Sequence, residues 1–374
     1  MDFSYTEEQR ELQQLASQIL TDMAQPARLK ALEASGEPYD REAWQQLVVS
    51  GIHNAALPEE LGGSGMDFLA ATLVCEAIGQ SATRVPYIPC IISTALPLLA
   101  HRDDPVVAAL LADIASGKAL ATCALIEPGN EDPFSPSMRA YRNESWHLSG
   151  AKHCIPYAEQ ASHILLFARA GNELWAGLAS TGNAPGSLLL AQQATTGEPQ
   201  CRLNVEGGVA HCIATGAAAE TLLQAVVAMT TVAYCSMAVG VAQRMTRIAA
   251  EYTSQRQQFG VPVATFQAVA HRLADCYIDT ECLRINTQKA ASDVNDGLYG
   301  SDAMAMAKVW CGDVMHRVSQ ATQHVHGGTG IDRDYHLFRF CLWAKFLELA
   351  LGGSRVHLAQ LADRLEARYL AGCG

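Results

Sequence analysis

Apolar positions in the first third of the chain recur at helical spacing. Thr6-Glu-Glu-Gln9 has the pattern of a capping box and predicts a helix that runs to about Leu32. Asp40 is placed to cap a second, short helix. Residues 57–66, LPEELGGSGM, contain a proline and three glycines and predict a loop. Further helices are expected near 67–80, 88–101 and 104–116.

The helical period disappears between Ala119 and about Thr215. Short apolar runs replace it, and turn segments such as EPGNEDP and TGNAPG separate them. Regularly spaced short strands with such turns are typical of a β barrel or sandwich, here of about 95 residues. The runs are LATCALI, WHLSG, HILLFARA, ELWAGLA, SLLLAQ and CRLNVE.

After Gly216 the pattern is helical again, in long segments. Helices are expected at 217–253, 264–296, 301–323 and 336–370, with breaks near FGVP and HGGTG. Long helices joined by short turns predict a four-helix bundle. The fold class is therefore mainly α with a central β domain. The domains are predicted at 1–118 (helical), 119–215 (β barrel) and 216–374 (four-helix bundle).

Composition narrows the class of protein. Of 374 residues, 49% are hydrophobic and 17% charged, which excludes an intrinsically disordered chain. The low charged fraction predicts an oligomer. Lys plus Arg number 26 against 38 Asp plus Glu, a net charge of −12 without a basic cluster. This balance argues against nucleic acid and against an anionic membrane surface, but it leaves room for a phosphate-bearing ligand.

Cysteine usage and hydropathy predict a cytoplasmic protein without a membrane span. The 12 cysteines form no C-x-x-C pair, so we expect free, mostly buried thiols and no metal site. The charged, amphipathic first 15 residues lack the apolar core of a secretory signal. Residues 221–243 carry no charge and would suit a span by length. Their polar residues favour a helix in the core of a helical assembly instead.

Three segments contain residues suited to ligand chemistry. Arg256 ends a long predicted helix, where it either complements the helix dipole or binds a phosphate through its planar guanidinium. His324 begins HVHGGTG, a turn whose glycines permit close backbone approach to a ligand or only join two helices. Glu127-Pro-Gly129 is either a plain turn or a loop over a cofactor. The sequence has no G-x-G-x-x-G segment and no P-loop.

Together these segments resemble the acyl-CoA dehydrogenase family over essentially the whole chain. The resemblance covers the TEEQ helix start, the PEELGG loop, the EPG turn, RQQFGVPVATFQAVAHRLAD, and HGGTG followed by DYHLFR. It implies a helical N-terminal domain, a β barrel and a C-terminal four-helix bundle that builds tetramers. It also implies bound FAD and the oxidation of acyl-CoA thioesters to trans-2-enoyl-CoA.

The resemblance assigns FAD-binding roles residue by residue. The family's Arg at the position of Arg256 reaches the FAD pyrophosphate of a neighbouring subunit, and its Gln at Gln267 also binds FAD. The Gly-Gly turn lies against the adenosine half of the cofactor. The FAD-binding set implied for this chain is Arg256, Gln258, Phe259, Gln267, His324, Gly327 and Gly328.

The chain departs from the family where the chemistry takes place. The usual catalytic base is a Glu at the position of Leu351, and some members carry it at the position of Thr230. Neither residue present here is a base at neutral pH. The segment that faces the flavin ring in relatives contains a Trp and a Thr, whereas Cys154 and Pro156 stand here and offer neither stacking nor a donor.

Three hypotheses remain open on the sequence. In the first, the chain is a base-lacking subunit of a heteromeric acyl-CoA dehydrogenase, resembling the two-gene bacterial enzymes (α2β2) of steroid side-chain or pimeloyl-CoA breakdown. In the second, it is a self-sufficient, homo-oligomeric dehydrogenase with a displaced base, Glu348 or Glu127. In the third, it is a flavoprotein of another activity or a scaffold with the same fold. The implied partners are acyl-CoA, a paralogous subunit and electron-transfer flavoprotein.

Overall fold

The computed structural model describes residues 3–130, 132–182 and 186–372. By their contacts, the residues form two compact units, each discontinuous in sequence. The first comprises residues 1–31, 68–83 and 231–374, and the second comprises 32–67 and 84–230. The domain boundaries at 118/119 and 215/216 stay predictions from the sequence.

The predicted capping box at the first helix is confirmed. Helix α1, Glu7–Met23, begins after Thr6, whose hydroxyl accepts from the Gln9 amide at 3.2 Å, while the Gln9 side chain accepts from the Thr6 amide at 3.0 Å. The prediction of one helix to Leu32 is wrong. The helix is interrupted at residues 24–25, and α2 runs from Pro26 to Ser35. Proline has no amide hydrogen and disfavours helical geometry in the residue before it, so the helix restarts there.

The other N-terminal helices lie near their predicted positions. The side chain of Asp40 caps α3, Arg41–Val49, by accepting from the Ala43 amide at 2.9 Å. The loop 57–66 contains one short 3₁₀ turn. The segment 88–101 is helical but irregular, since a π-helix, Ile88–Ala95, runs into a short α5 and a 3₁₀ turn. The two longer helices of this region are α4, Phe68–Ser81, and α6, Pro105–Ala115. Between them, α5 is the short segment Leu96–Leu98.

The strands close into a barrel, which confirms one of the two predicted β architectures. β4 pairs with β2 and β5, β2 with β3, and both β3 and β5 with β7, so that five strands form a closed ring. β1 adds to β4 in parallel, and β6 adds to β7. The strands are β1, Ala121–Ala124, β2, Arg139–Arg142, β3, Trp146–Pro156, β4, His163–Ala170, β5, Glu173–Ser180, β6, Ser187–Gln193, and β7, Pro199–Thr215.

Five helices follow the barrel in the described part of the chain. They are α7, Ala217–Gln255, α8, Gln267–Asn295, α9, Asp302–His326, α10, Leu337–Leu349, and α11, Ser354–Gly372. The prediction of a single helix over 336–370 is wrong. Leu351 and Gly352 have φ of +55° and +93°, left-handed values that end the helix. By length and composition alone α7 could cross a membrane, but 89% of its most apolar window is buried, as in a core helix.

Helices α4 and α7 approach each other through two reciprocal glycines. A Cβ added to Gly79 would lie 2.1 Å from the Met237 carbonyl oxygen, and one added to Gly240 would lie 2.0 Å from the Glu76 carbonyl oxygen. Both distances are far below van der Waals contact, so neither position accepts a side chain. The buried Glu76 carboxylate also pairs with Arg284 at 2.5 Å. The small residues of α7 therefore serve close packing at this point.

Candidate functional site

A tight hairpin fixes the backbone of Arg256 directly after α7. The strands β8, Gln257–Gln258, and β9, Val261–Pro262, are joined by two residues. These two, Phe259 and Gly260, have φ of +53° and +80°, as a type I′ turn requires. The Arg256 carbonyl accepts from the Val263 amide at 2.8 Å. The hairpin thus holds Arg256 at the end of the helix with an exposed side chain.

The glycine-rich turn after α9 is open where the sequence predicts a ligand. Gly327 has φ of +60°, and a Cβ added to Gly327 or Gly328 would meet no atom within 4 Å. In contrast, a Cβ at Gly330 would lie 2.4 Å from the Gln323 carbonyl oxygen. Packing therefore explains Gly330 but not the first two glycines, whose bare backbone is accessible to a ligand.

One cavity of about 520 Å³ joins these two segments. Five of the seven predicted FAD-binding residues line it: Arg256, Gln258, His324, Gly327 and Gly328. The other two lie outside the lining. Gln267 is exposed as the first residue of α8, and Phe259 is 93% exposed at the tip of the hairpin. The structure thus brings together residues from α7, β8, α8 and the turn after α9.

The lining of this cavity is cationic and carries no carboxylate. Sequence reasoning missed Arg272, which lies on α8 and contacts His324 Nδ1 through its guanidinium. Arg256 and Arg272 both line the cavity, although the whole chain has a net charge of −12. Such a concentration of positive groups in an acidic protein selects an anionic ligand. Nothing local in the sequence signals Arg272, because its proximity to His324 follows from the packing of α8 on α9.

Two stacked aromatic rings line the cavity beside the glycines. The rings of Tyr252 and His326 are stacked with centroids 4.4 Å apart. His326 Nδ1 lies 2.6 Å from the Thr322 carbonyl oxygen, and burial, only partly offset by that hydrogen bond, lowers the pKa of His326. The imidazole is therefore neutral at pH 7 and donates through Nδ1. Positive charge in the cavity comes chiefly from the two arginines.

Leu351 and Thr230, where the sequence resemblance places the family's base, offer no proton acceptor of useful strength. Leu351 follows α10, and its carbonyl accepts from His357 Nε2 at 2.8 Å. Thr230 is buried, with its hydroxyl 2.6 Å from the Val226 carbonyl oxygen and 2.8 Å from Ser93 Oγ. A hydroxyl bound in this way is part of the packing and has no tendency to ionise at neutral pH.

The carboxylate of Glu348 pairs with Lys345 and lies near the His316 ring. It lies 2.5 Å from Lys345 Nζ and 3.7 Å from His316 Nδ1, and its side chain is 20% exposed. The contacts agree with a structural role for Glu348.

Neighbouring donors engage both oxygens of the buried Glu127 carboxylate. Its carboxylate lies 2.8 Å from Lys152 Nζ, and the two side chains are 2% and 1% exposed. It also accepts from the Ser137 amide and hydroxyl and from the Met138 amide. Burial alone would raise the pKa of Glu127, but Lys152 and the Ser137 donors outweigh it and lower the pKa to about 2. Such a carboxylate is too weakly basic to remove an α proton.

The β3 segment that the sequence resemblance places beside a flavin ring is irregular. The pairing of β3 with β7 shifts register between Lys152 and Ile155, and Cys154 adopts φ of +50°. The Cys154 amide donates to Gln192 Oε1 at 3.0 Å, and its side chain is exposed. The other described cysteines are free and buried or half-buried, while Cys373 lies outside the described residues. Within residues 3–130, 132–182 and 186–372, no group of three or more His, Cys, Asp or Glu side chains could hold a metal ion.

Comparisons with known proteins match the whole length of the chain. Residues 6–118 match the acyl-CoA dehydrogenase N-terminal domain, and residues 220–366 match the C-terminal domain. The chain is 30% identical to acyl-CoA dehydrogenase FadE27 of Mycobacterium tuberculosis, over 98% of this chain and 99% of that protein.

Solved structures agree with the sequence matches. A variant of the Tcur3481–Tcur3483 steroid ACAD superposes with a TM-score of 0.91 at 34% identity, over 98% of this chain and 99% of that chain. A chain of the ChsE4–ChsE5 complex from Mycobacterium tuberculosis superposes with a TM-score of 0.89 at 29% identity and the same coverage. The predicted fold class, a helical N-terminal region, a sheet domain and a helical C-terminal region, is confirmed. The chain belongs to the acyl-CoA dehydrogenase family, whose members oxidise CH–CH bonds with FAD.

Proposed function

We propose that this chain is one subunit of a heteromeric, FAD-dependent acyl-CoA dehydrogenase and that it lacks a catalytic base of its own. One contrast supports this proposal. Five of the seven expected FAD-binding residues line one cationic cavity, whereas Leu351 and Thr230 stand where the resemblance places the family's base. The similarity to the steroid ACAD and to a chain of the ChsE4–ChsE5 complex supports the heteromeric assembly and a steroid-type acyl group.

The residues of the cavity fit one half of the cofactor. Two guanidiniums suit a pyrophosphate, because each planar fork donates paired hydrogen bonds to phosphate oxygens. Gly327 and Gly328 leave the backbone bare for close approach of an adenosine group. When bound, FAD supplies the acceptor for the hydride. Arg256 and Arg272 would hold its phosphates, while the partner subunit would supply the base and the residues beside the flavin ring.

Exposed apolar side chains on the C-terminal helices support assembly with another chain. On α8, Tyr277 is 63% and Ile278 57% exposed, and on α11, Leu365 is 51% and Tyr369 72% exposed. Exposed apolar side chains in such number are characteristic of protein interfaces. We further propose electron-transfer flavoprotein as the electron acceptor and the cytoplasm as the location.

The decisive experiment compares the chain alone with the chain co-expressed with an acyl-CoA dehydrogenase encoded by a neighbouring gene. Flavin absorbance gives the ratio of FAD to chain, light scattering gives the mass, and flavin bleaching by steroid acyl-CoA gives activity. We expect stoichiometric flavin and bleaching only in the mixed complex. Arg256→Gln should reduce the FAD content, while Arg10→Gln, an exposed arginine on α1, should leave it unchanged.

The displaced-base alternative is tested in the same assay. If the pure chain were fully active and Glu348→Gln abolished that activity, Glu348 would be the base and the proposal would be wrong. Full activity in both the pure chain and Glu348→Gln would also overturn the requirement for a partner.

A further inference from the structure

Two of the arginine contacts between α8 and α9 differ in the charge of the partner. Further along the helices, Arg317 donates to both carboxylate oxygens of Asp279, at 2.7 and 2.9 Å. At the cavity, the Arg272 guanidinium contacts His324 Nδ1, and both of these residues line the cavity. A carboxylate cancels the charge of the arginine that it binds, whereas a neutral imidazole does not.

The contact with Arg272 fixes which nitrogen of His324 carries the proton. A guanidinium has only N–H donors and stays charged in proteins, so the ring nitrogen that it meets has to accept. His324 is therefore neutral in this contact, with a lone pair at Nδ1 and its proton at Nε2. Arg272 is held in one position by this acceptor while its full positive charge stays available to a ligand.

The surroundings of Arg272 add to this positive potential. No Asp or Glu lines the cavity, so no lining carboxylate competes with an anionic ligand for the guanidinium. The start of α8 also lies at the cavity, since Ala268 and Val269 line it and no side chain caps the helix. The first amides of a helix carry partial positive charge. Ala268 is one turn before Arg272, so the helix start and the guanidinium act on the same side of the cavity.

We propose that His324 is a positioning residue, which as a neutral acceptor orients Arg272 toward the diphosphate of FAD without cancelling its charge. Direct contact of His324 with FAD, which the sequence resemblance implies, is a different role. A purely structural role at the end of α9 would contribute little, because both side chains are exposed. The inference rests on the proposed function only for the identity of the ligand in this cavity.

The test is a double-variant cycle on the dissociation constant of FAD, measured by flavin fluorescence on the flavin-free form of whichever assembly binds FAD. We expect His324→Leu and Arg272→Gln each to raise this constant about tenfold, the loss of roughly one charge-assisted hydrogen bond. The double variant should bind FAD no more weakly than Arg272→Gln, because His324 acts through Arg272. His324→Asn should restore most of the affinity, since the Asn side-chain oxygen lies near the position of Nδ1 and accepts.

Two further measurements separate positioning from a structural role. Arg317→Gln is the matched control, because it removes the other arginine contact between α8 and α9 and lies outside the cavity lining. It should leave the dissociation constant of FAD unchanged. In flavin-free protein, His324→Leu should leave the melting temperature unchanged, as expected for an exposed contact. Nitrogen-15 spectra at neutral pH should show His324 protonated at Nε2, and a proton at Nδ1 would contradict the proposed contact.

Two results would overturn this role of His324. Additive losses in the double variant would show that His324 contacts the ligand itself, and wild-type binding by His324→Leu would show that Arg272 needs no positioning. Arg256→Gln distinguishes the second result from a failure of the proposed function. If Arg256→Gln weakens FAD binding and His324→Leu does not, the positioning role alone is wrong. If neither variant weakens it, this cavity is not the FAD site and both proposals fail.

Discussion

The buried pair of Lys152 and Glu127 offers the most quantitative test of the structure. The perturbation is Lys152→Met, which keeps most of the length of the side chain and removes its charge. It leaves the Glu127 carboxylate with its Ser137 and Met138 donors but without a counter-ion, at a site where both side chains are at most 2% exposed. Removal of one partner from a buried pair costs about 3–5 kcal/mol, because the remaining charge is uncompensated.

The pKa of Glu127 gives an independent measure of similar size. A carboxyl whose pKa falls from 4.5 in the unfolded chain to about 2 in the native protein contributes ~3 kcal/mol at neutral pH. Because the folded pKa is the lower one, this stability is complete above pH 4.5 and is lost as the pH falls through 2. Burial lowers the pKa of Lys152, which opposes the gain at Glu127. The pair as a whole therefore contributes little to the free energy of unfolding, although removal of one partner is strongly destabilising.

The assay is urea unfolding at pH 7, followed by tryptophan fluorescence, to which Trp146 and Trp175 of the barrel contribute. We expect Lys152→Met to lower the unfolding midpoint strongly and Glu127→Gln/Lys152→Met to recover much of the loss. The control is Lys30→Met, whose pair with Asp334 is 2.7 Å long but highly exposed, and it should leave the midpoint unchanged. A Lys152→Met midpoint equal to that of Lys30→Met, or a double variant no more stable than Lys152→Met, would refute the reasoning.

Three further substitutions test the packing. Thr6→Ala should lower the free energy of unfolding by about 1 kcal/mol by removing the α1 cap, measured by thermal melting. Gly240→Ala should severely reduce soluble yield and melting temperature, since its Cβ would lie 2.0 Å from the Glu76 carbonyl oxygen, whereas Gly300→Ala, with no atom within 4 Å, should not. Lys308→Met should destabilise the end of α10, because Lys308 Nζ donates to the Leu347 carbonyl at 2.7 Å, and faster amide exchange in α10 would reveal it. Unchanged exchange would contradict that role.

Local signals predicted the elements better than the breaks between them. The α1 cap is set by four consecutive residues, so the sequence shows it directly. Pro26 and Gly352 are local signals for the two interruptions. Because apolar residues continue at helical spacing on both sides of each, the pattern predicts one helix where the structure has two. β2 was missed because only one of its four residues is buried, so it lacks an apolar run.

The candidate site was predictable only where residues act through their own segment. Arg256 and the glycines of the turn were found from adjacent motifs and a family resemblance. Arg272 meets His324 across 52 residues of sequence, and Tyr252 stacks on His326 across 74. Such contacts depend on how helices pack, and periodicity in one helix carries no information about its neighbour.

The reciprocal glycines of α4 and α7 have a consequence for how the protein is made. α4 is synthesised early and packs on α1, which precedes it, yet its close contact with α7 requires Met237 and Gly240. At a translation rate of about 5–20 residues per second, the roughly 150 intervening residues delay that contact by about 10–30 s. During this interval the apolar helix has α1 as a partner, but the face that packs on α7 stays exposed to other chains. An N-terminal fragment that ends near residue 118 would remain in that unfinished state permanently.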